Sequence, residues 1–167
     1  QSYEGCTFHD DIQITTSTTN EIELALFHLP YEYGADANIQ GLNTGIEIGV
    51  RSNGEAGDFR LKLVQVDISG SPVVDKVIST QIYPIPNSNT WNILTDIGEL
   101  SGTIEDGFAL GILATYQANT GTETRTDLKY GEHLTNQRNF EISLDVQLVE
   151  SINESLSISD KLNLIIP

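Results

Sequence analysis

The feature that most restricts this chain is alternation. Apolar residues recur at every second position through most of its length, the spacing of a strand with one buried face, and no run keeps a 3.6-residue spacing through three helical turns. "EIELALFHL" puts Ile22, Leu24, Leu26 and His28 on one face and Ala25, Phe27 and Leu29 on the other, before Pro30 stops it. "DFRLKLVQV" sets Phe59, Leu61 and Leu63 against the outward Arg60 and Lys62, and "GFALGILATYQ" aligns Phe108, Leu110, Ile112 and Ala114. "NFEISLDVQLV" aligns Phe140, Ile142, Leu144, Val146 and Leu148, and "TGIEIGVRS" and "TWNIL" are shorter members of the series. "VVDKVISTQIYPI" is a further strand, ended or confined to a sheet edge by Pro84 and Pro86, which cannot donate to a ladder. Eight or nine strands result, roughly ten to fifteen residues apart.

Between them lie turn residues. "SNGEAGD" at 52–58 reads as a hairpin loop, with Asn53-Gly54 suited to positive φ, and "DISGSP" at 67–72 reads as another. "IPNSNT" and "GELSGTIEDG" read as longer connections, and "QANTGTETRTD" at 117–127 as the most mobile loop. No low-complexity linker precedes residue 150. The expected architecture is therefore an all-β, antiparallel β-sandwich of jelly-roll type over residues 1–150, followed by an extended C-terminal segment at 151–167. An immunoglobulin module would want a Cys-Trp-Cys spacing, and Cys6 is the only cysteine. With no methionine in the chain, Gln1 reads as a processed end or as part of something longer.

Charge excludes some partners. The chain carries 24 acidic and 8 basic residues, a formal net charge of −16. Such a surface repels nucleic-acid phosphates and anionic membranes, so neither is an expected partner. No stretch is long and apolar enough for a membrane-spanning helix. Acids on predicted turns supply hard oxygen ligands, which makes Asp36, Asp67, Asp96 and Asp106 (with Asn38 and Glu105 beside them) the candidate positions for Ca²⁺, the one cofactor the residues suggest.

Chemistry-bearing motifs are otherwise missing. His9, His28 and His133 have no metal-ligand spacing, and His28 at a strand end reads as a satisfied, half-buried side chain. There is no GxSxG, and "GADANIQG" and "GVRSNGEAG" fall on turns without opening the helix that a phosphate cradle needs. The expectation is a protein that is not an enzyme. Tyr31 and Tyr33 in "PYEYG", with Trp91, are candidate sugar-stacking residues, although Trp91 equally suits a sheet core. Asn153-Glu154-Ser155 is the sole glycosylation sequon.

After residue 150 glycine and aromatic residues vanish, and Ile152, Leu156, Ile158, Leu162, Leu164 and Ile166 keep even positions with Asp160 interrupting the row. A final strand is expected at 161–166. Burying Leu162, Leu164, Ile165 and Ile166 is worth roughly 6 to 12 kcal/mol, and ordering six residues costs about the same. Ladder hydrogen bonds must then supply the margin, from this chain's own sheet or from a neighbour's. These four are the candidate subunit-interface residues, and the sequence favours pairing with another chain.

From about residue 40 to 149, "GLNTGIEIGVRSNG", "FRLKLVQVDISGSPV" and "IPNSNTWNILTDIGELSGTIEDGFALGILATY" follow in an order that resembles the jelly-roll modules of virion appendage and decoration proteins and of secreted surface proteins. In those modules a Trp-bearing strand precedes a G-[FY]-x-[LI] strand, matched by Trp91 and by Gly107-Phe108-Ala109-Leu110. The tail "ESINESLSISDKL" is similar to the Ser/acid/aliphatic repeats of microbial and viral surface proteins. The resemblance implies a virion or an extracellular or cell-surface setting and carries over no catalytic residue. Two functions follow as expectations. One is a non-catalytic structural protein (capsid decoration, tail or surface-layer type) forming homo-oligomers or binding other structural subunits. The other is a carbohydrate-binding or adhesive module taking a glycan, with or without Ca²⁺.

Overall fold

A computed structural model describes residues 11–41, 48–94, 96–121, 124–129, 141–149 and 155–163. In chain order the strands are β1 (Asp11–Thr16), β2 (Ile22–His28), β3 (Asp36–Gly41), β4 (Ile48–Asn53), β5 (Gly57–Asp67) and β6 (Val73–Ile85). They continue with β7 (Ser88–Leu94), β8 (Ser101–Ile104), β9 (Ala109–Ala118), β10 (Thr124–Lys129), β11 (Glu141–Val149) and β12 (Ser155–Asn163). No helix occurs among the described residues.

All pairings between strands are antiparallel, and the strands form three four-stranded ladders. The first sheet has the order β2-β9-β5-β6 and the second β12-β11-β3-β8; the third ladder is β1-β10-β4-β7. The chain passes between the second and third ladders at matching places in their orders: from β3 to β4, β7 to β8 and β10 to β11. The sandwich predicted from alternation is present, because one core joins the first and second sheets. Phe59, Leu61, Leu63, Ile85, Leu110, Ile112, Ala114 and Tyr116 come from the first; Ala37, Ile39, Ile104, Ile142, Leu144 and Val146 come from the second. The pairings of β5 with β9 and of β3 with β11 nest as in a roll, while β12 turns back on β11 as a hairpin.

Several readings need correction. In β2 a bulge between Glu23 and Ala25 breaks the alternation, so Leu24 and Phe27 enter the core together while Leu26 packs in a second cluster. β5 itself keeps an unbroken register with β9, so Val64 and Val66, out of phase with Phe59, Leu61 and Leu63, face the opposite side, against Ala109 and Leu113; the bulges opposite Leu63/Val64 and Gln65/Val66 lie in β6. "SNGEAGD" is not a hairpin. It carries the chain from β4, in the third ladder, to β5, in the first sheet. "GADANIQG", read as a turn, contains β3; "GELSGTIEDG" and "QANTGTETRTD", read as loops, contain β8 and the start of β10. Short polar strands give too little apolar periodicity to register. "DISGSP" does join the paired strands β5 and β6, and the proline-bearing β6 lies at the edge of its sheet.

Candidate functional site

The second sheet has two outer strands, β8 and β12, and they are built differently. On β6, Gln81 pairs with Leu61 and Ser79 with Leu63, so both share the face that the core leucines occupy. At this edge they meet the backbone leading into β8. The Glu99 N–H donates to Gln81 Oε1 at 3.1 Å and the Ser101 N–H to Ser79 Oγ at 3.0 Å. From β5, Gln65 Oε1 accepts the Glu105 N–H at 3.2 Å, and the Gln65 amide donates to Asp75 Oδ2 at 3.0 Å. Lys76 Nζ adds an ion pair to Glu105 at 3.0 Å. Gly102 lets the layers approach closely here, since a Cβ on it would lie 2.2 Å from Ile78 Cγ2. The N–H groups of residues 99, 101 and 105, which could seed a further strand, are thus taken by side chains of the opposite sheet.

Next to this edge the Tyr83 hydroxyl donates to the Asp96 carbonyl oxygen. Burial pushes that hydroxyl well above the ordinary tyrosine value and the Asp96 charge adds to the effect, so it stays a donor.

At the other edge, β12 pairs with β11 along all nine residues, from Glu141 opposite Asn163 to Val149 opposite Ser155. Among the described residues the strand runs over 155–163, so it begins before the expected 161–166 and includes its first three residues. Within the chain it pairs with β11, the self-closure that the sequence left open beside pairing with another chain. The physical reason is a short connection, which closes at little entropic cost, and a matched register: Leu156, Ile158 and Leu162 fall opposite Leu148, Val146 and Ile142. Leu162 is therefore in the sheet, opposite Ile142; Leu164, Ile165 and Ile166 lie outside the described residues. Among the described residues no strand pairs with the outer side of β12.

The remaining candidates are scattered. Tyr31 is exposed and Tyr33 packs partly on the core, their rings 5.9 Å apart and edge to face. Trp91 lies in β7, in the third ladder. Of the four aspartates, Asp36 and Asp106 meet, Asp36 Oδ1 accepting the Asp106 N–H at 2.9 Å. Asp67 and Asp96 instead close their own turns, on the Ser69 and Gly98 N–H groups. The side-chain and backbone hydrogen bonds from Ser69 hold the Asp67 carboxyl below its ordinary value. No three His, Cys, Asp or Glu side chains converge as metal ligands among the described residues. His28 is half-buried, with Nδ1 2.8 Å from the Leu29 carbonyl oxygen, as its strand-end position suggested. Cys6, His9 and His133 lie outside the described residues.

Sequence reasoning did not single out Gln65, Ser79 and Gln81. The available signal was three polar residues at inward positions of otherwise apolar strands.

No family model matches the chain, and no curated protein matches it in sequence. Among solved structures it is similar to a chain in "Structure of infectious bursal disease virus Gx strain", with 10% identity and a TM-score of 0.25 over 81% of this chain. The match spans only 35% of that viral chain, and a likeness this faint supports no argument about function.

Proposed function

We propose that this chain is a non-catalytic structural module of a virion or extracellular surface assembly, and that it joins further subunits through the outer side of β12. The observation carrying this reading is the asymmetry of the second sheet: the Ser101 N–H of β8 and the flanking Glu99 and Glu105 N–H groups are taken by Ser79, Gln81 and Gln65, while among the described residues no strand pairs with the outer side of β12. A strand open on one side is a template for another strand. The absence of nucleophile and metal-ligand motifs in the sequence agrees with a non-catalytic role, and the resemblance supplies the setting.

Strand parity provides the test. Successive N–H groups of a strand point to opposite sides, so Ser157 and Asp160, three apart, donate in opposite directions. Ser157→Pro and Asp160→Pro are compared by sedimentation and melting. One should lower the melting temperature by removing a bond to β11; the other should keep it and abolish association. If both variants associate like the parent, or the parent is monomeric at all concentrations, the reading fails.

A second reading rests on the exposed Tyr31 beside Tyr33, an aromatic surface that a sugar could stack on. Binding by a monomer on a glycan array, lost in Tyr31→Ala, would favour it over assembly.

A further inference from the structure

The crossover from β4 to β5 carries the dipeptide Asn53-Gly54. Gly54 has φ +127°, which L side chains rarely adopt, so backbone geometry alone demands glycine there. That demand has a chemical consequence, because a glycine following asparagine has no Cβ to shield its nitrogen from the asparagine side-chain carbonyl. Here the nitrogen is held. The Gly54 N–H donates to Asn87 Oδ1 at 3.2 Å, and Asn87 Nδ2 donates back to the Gly54 carbonyl at 3.1 Å. The next residue is anchored too: Ser52 Oγ and the Tyr116 hydroxyl donate to the Glu55 carbonyl at 2.6 and 3.3 Å. The buried Glu55 carboxylate accepts the Thr120 N–H and hydroxyl.

We propose that Asn53 is a site of spontaneous covalent modification, converted to aspartate and isoaspartate by attack of the Gly54 nitrogen, and that Asn87 sets the rate by holding that nitrogen. In the first step the Gly54 nitrogen gives its proton to water or hydroxide and bonds to Asn53 Cγ. The Cγ–Nδ2 bond breaks and ammonia leaves. One water then opens the five-membered imide: at one carbonyl it gives aspartate with the original backbone, at the other isoaspartate with the chain routed through the former side chain. Nothing is oxidised or reduced. Both products add one negative charge at position 53, which is in register with Arg125 on β10. Aspartate keeps the original backbone and with it the β4–β10 register. Isoaspartate lengthens the backbone by one carbon and disturbs the end of the β4–β10 register.

The test incubates the folded full chain in mildly alkaline buffer, then denatures it and digests it with trypsin, which frees residues 52–60 as one peptide. Chromatography and mass spectrometry separate its asparagine, aspartate and isoaspartate forms. Folded parent protein should convert slowly, its denatured form faster, and Asn87→Ala severalfold faster than the parent while still folded by circular dichroism. Asn87→Asp, which retains an acceptor oxygen, should stay close to the parent rate, and Asn53→Gln should not convert. If Asn87→Ala unfolds, the Asn87→Asp rate and the folded-to-denatured ratio of the parent still decide. Absence of conversion in every form, equal rates in parent and Asn87→Ala, or a folded parent as fast as the denatured chain would each overturn the proposal.

Discussion

If Ser79 and Gln81 close the β8 edge, removing both acceptors should have two separable effects. Ser79→Ala deletes only the oxygen that receives the Ser101 N–H. Gln81→Met keeps the length of a buried side chain and deletes the acceptor of the Glu99 N–H. Each change leaves a partly buried N–H without its side-chain partner, at a cost of about 1 to 2 kcal/mol, because water can reach the group only in part. The pair together should cost about 2 to 4 kcal/mol, well short of a typical domain stability of about 5 to 15 kcal/mol. For a chain of this size a loss of about 3 kcal/mol lowers the melting temperature by about 6 to 12 °C. The double variant should thus remain folded at room temperature. Its second effect is on association, since the freed N–H groups of residues 99 and 101 restore an open edge. Sedimentation velocity across a concentration series should show new, larger species for the double variant, and these should persist when the β12 proline that abolishes parental association is added. Urea unfolding of the two single variants supplies the energies. A loss under about 0.5 kcal/mol in both would mean that these side chains do not satisfy the edge. A clear loss of stability with unchanged sedimentation would refute the blocking role.

Gly41→Ala should abolish or severely weaken folding, since its Cβ would lie 2.0 Å from the Ile97 carbonyl oxygen; Gly70→Ala, where nothing lies within 4 Å, should leave the urea midpoint almost unchanged. Tyr116→Phe and Ser52→Ala should each cost about 1 kcal/mol, and the double variant less than the sum, because the Tyr116 hydroxyl donates to Ser52 Oγ at 3.0 Å and both share the Glu55 carbonyl; strict additivity would refute that coupling. Burial raises the Glu21 carboxyl, but hydrogen bonds from Lys62 and Thr115 and the charges of Lys62 and Arg60 outweigh it and hold the group below its ordinary value of 4.5. A lowered acid stabilises the fold above its unfolded value and loses that contribution as pH falls through the folded one. Parent and Glu21→Gln should therefore differ by about 0.5 to 1 kcal/mol at neutral pH, the site being partly exposed, and converge in acid; a gap that widens in acid would reverse the assignment.

How far the sequence could be read depended on whether each strand kept its period. Phe59, Leu61 and Leu63, and likewise Ile142, Leu144 and Val146, are unbroken alternations, and all six are buried as their pattern implies. Pro84 and Pro86 identified an edge because a missing N–H has only one tolerable place in a sheet. The bulges were not visible. Leu24 and Leu26 have the same spacing as Leu61 and Leu63, yet an extra residue opposite the β9 ladder sends them to different faces. Turn chemistry was ambiguous for a related reason. Asn53-Gly54 permits a reversal, but whether the next strand pairs with the last or crosses to the facing sheet is decided by long-range partners, here Asn87 and Tyr116. At the candidate site a late strand was legible at 161–166, of which 161–163 fall in β12, whereas the start of β12 at Ser155, its pairing with β11 and the capping of β8 arise only when the sheets meet.

The two edges also bear on how an acidic chain could associate at all. With a net charge of −16, two copies repel each other at every approach, so a small apolar contact gives little margin. Backbone hydrogen bonds along a strand do not depend on side-chain charge, and alternate residues of the nine-residue β12 direct theirs outward, with one acid and one base, Asp160 and Lys161, adjacent in sequence. This strand is locally neutral, and among the described residues no strand pairs with its outer side. Capping of the Glu99, Ser101 and Glu105 N–H groups by neutral Gln and Ser side chains complements this, since it occupies donors at the other edge of the same sheet without adding charge. Association through β12 should accordingly strengthen with added salt, which screens the overall repulsion over about 10 Å at 0.1 M and leaves the ladder bonds intact. An association that weakened with salt would show that ion pairs, rather than strand pairing, hold the subunits.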